Sequence, residues 1–423
     1  MSESSAPQSV NRAVEEVART SYGRLVAYLS SRSSDVAAAE DALADAFEAA
    51  LRTWPDRGIP SRPTSWMITA ARRSLIGRAR RNDVAQRALP SLALLEADRA
   101  EPGPTSVIGD HRLELLFACA HPAIDGSIHA PLMLQTVLGL DAARMAPAFQ
   151  VRAAALSQRL VRAKQKMRTA RIPFATPAHG DLAPRATAVL DAIYAAYGTG
   201  WEDPLGSDDV RVGLTTEAIR LAELVCELLP EHAEAHGLAA LMEHSHARAA
   251  ARRDRDGRMV PLAQQDTSRW SPELIATGDA HLSAALALRS PGPYQLHGAI
   301  QSLHNRRSLR GTTDWRAIAS LYDALVTVDP SAGALVARAA AHLEAIGPEP
   351  ARVLLEELDP SWTFDYQPYW AVRAEVLLRG GGPDREVDLA RERAISLAVD
   401  PIVADHLRAR YGKHAASTPA VKA

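Results

Sequence analysis

The chain has 423 residues, 47% of them hydrophobic but only 5% aromatic, and an apolar set dominated by Ala and Leu favours two or three cores of packed helices over sheets. Its net charge of −2 hides an asymmetry, because residues 1–172 carry 23 Lys+Arg against 17 Asp+Glu whereas the remainder carries 25 against 33, the pattern of a nucleic-acid module joined to something that does not bind nucleic acid. Cys119 and Cys226 are too far apart for a disulfide framework or a C-x-x-C metal site, and with no signal peptide and no apolar run near the ~20 residues that span a bilayer, the expected location is cytoplasmic and off the membrane.

After a polar first ten residues, expected to be disordered, Arg12 to Ser30 reads as a helix. Asp35 opens a second one, with Val36, Leu43, Phe47, Leu51 and Trp54 as its core stripe and Asp41, Asp45, Glu48 and Arg52 across from them. Trp54-Pro55 through Pro63 reads as a broken connection, and Thr64 to Arg81 as a third helix. That helix is two-faced. Met67, Ile68, Ala71, Leu75 and Ala79 cluster on one side, and Trp66 lies on the other with Thr69, Arg73, Gly77 and Arg80. An exposed Trp beside arginines offers a single-stranded nucleic acid a ring to stack on and cations for its phosphates. A Trp packed under a neighbouring helix is the alternative. Residues 88–110 turn to Pro, Gly and acidic residues and read as a linker.

His111 to Arg171 forms a second helical module, ending in a basic stretch: after Asp141 come eight basic residues before the next carboxylate, Asp181. On a helix from Arg152 to Arg168, Leu156, Leu160, Ala163 and Met167 fall on one side, and Arg159, Arg162 and Lys166 share a neighbouring face near Gln158 and Arg152. A short helix over Asp141–Phe149 and the turn Gln150-Val151-Arg152 complete a helix-turn-helix outline, whose second helix meets base edges and phosphates in the major groove. A solvated basic face would look the same. Two residues fit poorly: Pro147 removes a backbone donor inside the first helix, and Arg152 occupies the N-cap of the second, where Ser or Asn caps better.

The acidic remainder shows helix-pair punctuation at 227–230, 327–330, 357–360 and 398–401, spaced by 30 residues and then 41 in the last two intervals. This predicts an irregular, tetratricopeptide-like repeat of stacked helices. Residues 244–275 crowd Arg252, Arg253, Asp254, Asp256, Gly257, Gln265, Asp266 and Trp270 between helices, and an Arg/Asp network pinning a loop is favoured over an enzyme site. His232, His236 and His244 share a helical spacing, but a helix break near Gly237 or plain surface histidine is favoured over a metal site. No P-loop, nucleophile elbow, zincin or dinucleotide fingerprint appears, so no catalytic residue, cofactor or metal is assigned and a non-enzyme is expected.

Asp35, Glu40, Asp41 and Phe47 match the "D…AED…F" helix of bacterial extracytoplasmic-function sigma factors. Pro63, Trp66, Ala71 and Arg78 to Arg81 match the helix that follows it there, and RLVRAKQKMR at 159–168 resembles the end of the second DNA-binding domain. FACAHPAI at 117–124 and the length are similar to the subgroup with a long helical C-terminal extension. The resemblance implies an all-α protein: region 2 over 1–87, a linker over 88–110, a region 4 helix-turn-helix over 111–172, a linker over 173–184, a tetratricopeptide-like domain over 185–412 and a disordered tail over 413–423. It further implies core RNA polymerase (β′ clamp and β flap) and promoter DNA as partners, with a regulatory protein for the C-terminal domain. Asp41, Asp45 and Glu48 would then contact polymerase. Trp66, Arg72, Arg73, Arg78 and Arg80 would meet the −10 element, and Arg152, Gln158, Arg159, Arg162 and Lys166 the −35 element. Ala44, Arg73 and Gly77 depart from that family's usual Gln, Asn and Asp. The competing reading is a helix-turn-helix regulator with a ligand-binding helical domain, which has no reason to carry the acidic face and Trp66.

Overall fold

Side-chain caps start many of the helices in the computed structural model, which describes residues 5–86, 111–146, 149, 151–177, 179–201 and 209–415. Asp35 accepts from Ala38 N, Asp125 from Ser127 N, Asp141 from Arg144 N, Ser271 from Leu274 N and Asp314 from Ala317 N, each satisfying a backbone donor that the first turn leaves unbonded. Among the described residues there is no β-strand, and the fold is all-α. Two units divide it, Met1–Leu224 and Val225–Ala423.

The first unit begins with α1 (Ser5–Ser33), α2 (Val36–Arg57) and α3 (Pro63–Gln86). Helix α1 starts well before Arg12, so residues 5–10 are ordered, contrary to expectation. Helix α2 runs through Pro55 rather than stopping there: so near the C-terminus the ring forfeits one backbone bond, and Gly58, at φ +81°, closes the end by donating to Trp54 O. The buried face of α2 is Val36, Ala39, Ala42, Leu43, Ala46, Ala50 and Trp54, whereas Leu51 is 45% exposed and Phe47 half-buried. Val36, Leu43 and Trp54 of the expected stripe are thus buried, joined by four alanines on one flank, while Leu51 and Phe47 lie toward solvent.

Next come α4 (Arg112–Cys119), α5 (Gly126–Leu138), α6 (Ala142–Met145) and α7 (Ala153–Thr169). Regular helix in α6 is shorter than the Asp141–Phe149 expected; Pro147 and the linker over 88–110 lie outside the described residues. Helices α1 and α2 pack against α4, α5 and α7. Helix α1 crosses α5 so tightly at Gly23 that a Cβ there would stand 1.8 Å from the carbonyl oxygen of Val137. The unit closes with α8 (His179–Trp201), packed on α5 and α4, and with α9 (Asp209–Leu228), whose Glu217 pairs with the buried Arg112 of α4. The first unit extends to Leu224, so α8 and most of α9 group with the helices that precede the expected 173–184 linker.

In the second unit α10 (Ala233–His246) packs on α11 (Pro272–Ala287) and α12 (Pro293–Asn305). No break occurs at Gly237; its missing side chain lets α12 approach, since a Cβ there would lie 2.5 Å from Gln295 N. His244 is not a surface residue but fully buried. Its Nδ1 accepts from Asn305 Nδ2 at 3.1 Å, while Asn305 Oδ1 accepts from Arg248 Nη1 at 2.7 Å and Gln301 Oε1 from Arg248 Nη2 at 2.6 Å. The loop after α10 is pinned by Arg307, which donates to Ala263 O and Gln265 O at 2.5 and 2.8 Å and stacks over Trp270. Arginines therefore hold the 244–275 stretch, in part through amides and carbonyls and in part through the expected aspartates, since Arg258 pairs with Asp256 at 3.1 Å and approaches Asp254 at 4.0 Å. Helices α13 (Arg307–Arg310) to α20 (Pro401–Ala415) follow, including the adjacent pairs α14 (Trp315–Val328) with α15 (Ala332–Ala345) and α18 (Gln367–Gly380) with α19 (Asp384–Ser396). Successive apolar clusters around Ile318, Tyr369 and Leu407 join neighbouring helices, as stacked pairs must to bury their faces. Part of the expected 413–423 tail, up to Ala415, is helical.

Burial drives the pKa of both His244 and His304 down to about 4 from 6.5, with Arg248 adding to it and Asp279 partly opposing it at His244. Both rings are neutral in the folded chain, and unfolding lets them take up protons between pH 6.5 and about 4. Stability contributed by this burial is complete above that window and is lost as pH falls through it. Thermal unfolding monitored from pH 7 to pH ~4.5 should show a falling midpoint, and His304→Gln should flatten the decline.

Candidate polymerase and nucleic-acid interface

The acidic face of α2 is met by the polar face of α3. Arg78 donates from Nη1 to Asp41 Oδ2 at 2.9 Å and from Nη2 and Nε to Asp45 Oδ2 at 2.7 and 3.2 Å, and Ser74 Oγ donates to the same Asp45 oxygen at 2.5 Å. A guanidinium fork between two carboxylates fixes the spacing of the two helices. The sequence divides these three residues between polymerase and DNA; the structure pairs them with one another. Asp41 nonetheless keeps 64% of its side chain exposed, and Glu48, 3.8 Å from Arg52, keeps 77%. Both acids remain presented to solvent.

Trp66 is half-buried, its ring set edge-on against the buried Trp54 with centroids 5.4 Å apart and planes at 70°. It is thus a half-buried, packed ring, as the alternative reading of the sequence has it. Arg73 is exposed and Arg72 half-buried on the same helix, and the side chain of Arg80 lies outside the described residues.

Helix α7 buries the expected stripe of Leu156, Leu160, Ala163 and Met167 and starts at Arg152 with no side-chain cap. Exposed on its other side are Arg152, Gln158, Arg162 and Lys166. Arg159 turns inward and donates to Ser127 Oγ of α5 at 2.5 Å. Two exposed residues on the same helix escape a search for cations: Gln165, and Val161 at 64% exposure, a side chain suited to a thymine methyl. Val161 is legible only once the buried stripe is fixed, since an apolar residue on a polar face is then the anomaly.

The remaining cation, Lys164, points at α2. Its Nζ meets Glu40 Oε2 at 2.6 Å, with the two side chains only 10% and 18% exposed, and Arg168 approaches Asp35 at 3.6 Å. Burial raises the pKa of Glu40, against the pull of Lys164. The carboxylate's desolvation thus outweighs the attraction that holds it ionised. Among the described residues no helix is long and apolar enough to cross a membrane.

Residues 17–84, the span of α1 to α3, match sigma-70 region 2. Residues 185–286, from α8 to α11, match a family of unknown function, DUF6596. An uncharacterized protein of Rhizobium meliloti (strain 1021) is 37% identical over 391 residues, which cover 91% of this chain and 92% of that one. No solved structure matches the chain. The chain belongs to one family with this Rhizobium protein, and its match to sigma-70 region 2 supports a place among the sigma factors and a role in promoter recognition and transcription initiation.

Proposed function

We propose that this chain is a sigma factor of the extracytoplasmic-function type, in which α2 meets the polymerase β′ clamp, α3 the −10 element and α7 the −35 element through a helix-turn-helix. The observation that carries this reading is the coincidence of a region 2 match over α1–α3 with a basic helix that buries one apolar stripe and exposes Arg152, Gln158, Arg162 and Lys166. The helix pairs of the second unit, which carry no catalytic motif, are read as a tetratricopeptide-like module for regulation or protein interaction. The protein acts in this reading without cofactor and without catalysis of its own.

Purified full-length chain added to core RNA polymerase should confer promoter opening and initiation; failure to bind core polymerase would overturn the assignment. Glu48→Lys should weaken core binding, more so at low salt, with circular dichroism unchanged because that side chain is solvent-facing.

On α7 the expectation is asymmetric. Arg162→Ala should weaken −35 binding by ~1–3 kcal/mol if its fork reads guanine, or uniformly across sequences if it meets phosphate. Arg159→Ala should cost less DNA affinity, because that side chain is engaged with Ser127. Equal losses would contradict the orientation of the helix.

Trp66→Phe retains a ring against Trp54, whereas Trp66→Ala forfeits an aromatic pair worth ~0.5–1.5 kcal/mol beyond its buried area. If the exposed part of Trp66 supports an unpaired base, Trp66→Phe should keep stability and still slow promoter opening, measured by permanganate reactivity. Normal opening by Trp66→Phe would leave the residue a packing role alone.

A further inference from the structure

Three side chains far apart in sequence converge in the second unit. Cys226 lies in the last turn of α9, His236 one turn into α10 and His281 within α11. One ligand atom from each lies within 4.8 Å of the other two, with the thiol buried and both rings half-buried.

Hydrogen bonding restricts the ring protons. His236 Nε2 lies 3.1 Å from Pro230 O. A carbonyl only accepts, so this nitrogen carries the proton and Nδ1 presents a lone pair. That lone pair faces His281 Nδ1 at 3.0 Å, while His281 Nε2 sits 3.8 Å from a carboxylate oxygen of the fully buried Glu243. A neutral His281 has one proton for these two directions. Placed on Nε2, it leaves two lone pairs opposed at 3.0 Å; placed on Nδ1, it leaves a lone pair against a carboxylate. A cation between the two Nδ1 atoms removes the conflict and directs both Nε2–H groups at acceptors.

We propose that Cys226, His236 and His281 form a binding site for one zinc-class divalent cation, ligated by the Cys226 thiolate and the two Nδ1 atoms. Thiolate with two imidazoles is a borderline-soft donor set that suits zinc. Zinc at its usual bond lengths sets N and S ligands about 3.3–3.6 Å apart, so the widest pair must close by about 1 Å. Both rings already have the outer partners that a metal-bound histidine needs, Pro230 O for His236 and the Glu243 carboxylate for His281. Three protein ligands leave a fourth position for water, on the side where the rings are exposed. Binding releases the thiol proton and ties the end of α9 to α10 and α11. The site is independent of promoter recognition and stands or falls without it.

The test uses full-length protein stripped by a chelator under reducing conditions and titrated with Co²⁺, followed by competition with Zn²⁺. The expected result is one Co²⁺ per chain with a thiolate-to-cobalt charge-transfer band and intense tetrahedral d–d bands, all displaced by Zn²⁺. Cys226→Ser should abolish the charge-transfer band, Glu243→Gln should weaken affinity ~10–100-fold, and Cys119→Ser should change neither. Absence of the band in the wild-type chain, or its persistence in Cys226→Ser, overturns the proposal. Should Cys226→Ser lose helicity, His236→Asn replaces it, and wild-type cobalt affinity in that variant overturns the proposal equally.

Discussion

The ion pair between Lys164 and Glu40 sets how the first unit presents its surfaces. It joins the basic helix to the acidic one across 124 residues of sequence, with both charges largely withdrawn from water. Such a pair adds little net stability, since desolvation offsets the attraction, yet removing either partner strands the other at a cost of ~3–5 kcal/mol. Its effect is to fix rotation. With Lys164 turned onto α2, the stripe from Leu156 to Met167 must face inward and Arg152, Gln158, Val161 and Arg162 must face out. The same contact brings α7 against the helix whose opposite edge carries Asp41 and Glu48. Acidic and basic surfaces of the unit are therefore positioned together rather than by separate bodies on a tether.

Much of this was legible from residue spacing, and the failures have identifiable causes. The stripe on α7 reads directly because large apolar residues alternate with cations, leaving one possible buried face. On α2 the stripe is right in part: Val36, Leu43 and Trp54 are buried, but Ala39, Ala42, Ala46 and Ala50 are covered beside them while Leu51 and Phe47 lie toward solvent. Which flank of the stripe is covered depends on a neighbour the sequence does not name. Arg78 was assigned by its place in a basic run, but its partners lie 33 and 37 residues earlier. Cys226 and His281 carry no local signal that pairs them with His236.

In the second unit polar burial is concentrated where α10, α11 and α12 meet, while the later helix pairs are joined by apolar clusters. Gly237 and Gly278 permit this: one admits the backbone of α12, the other the ring of His244. Helices brought so close leave room for few apolar side chains between them, and the histidines, Asn305 and Arg248 occupy the remaining space with hydrogen bonds directed at one another. A buried network of this kind tolerates one arrangement only, because each unsatisfied member costs the full desolvation of its group.

The crossing at Gly23 also bears on how the protein is made. Residue 23 leaves the ribosome long before Val137, the group against which it packs. Chains are synthesised from the N-terminus at ~5–20 residues per second, so α1 waits some seconds to a fraction of a minute for the surface that completes its burial. During that interval α1, α2 and α3 have only one another to cover their apolar faces. A nascent chain of this length exposes the side of α1 destined for α5, and chaperone binding or premature association there competes with correct closure. A substitution at Gly23 would thus be felt twice, in the finished packing and in the length of time that α1 stays uncovered.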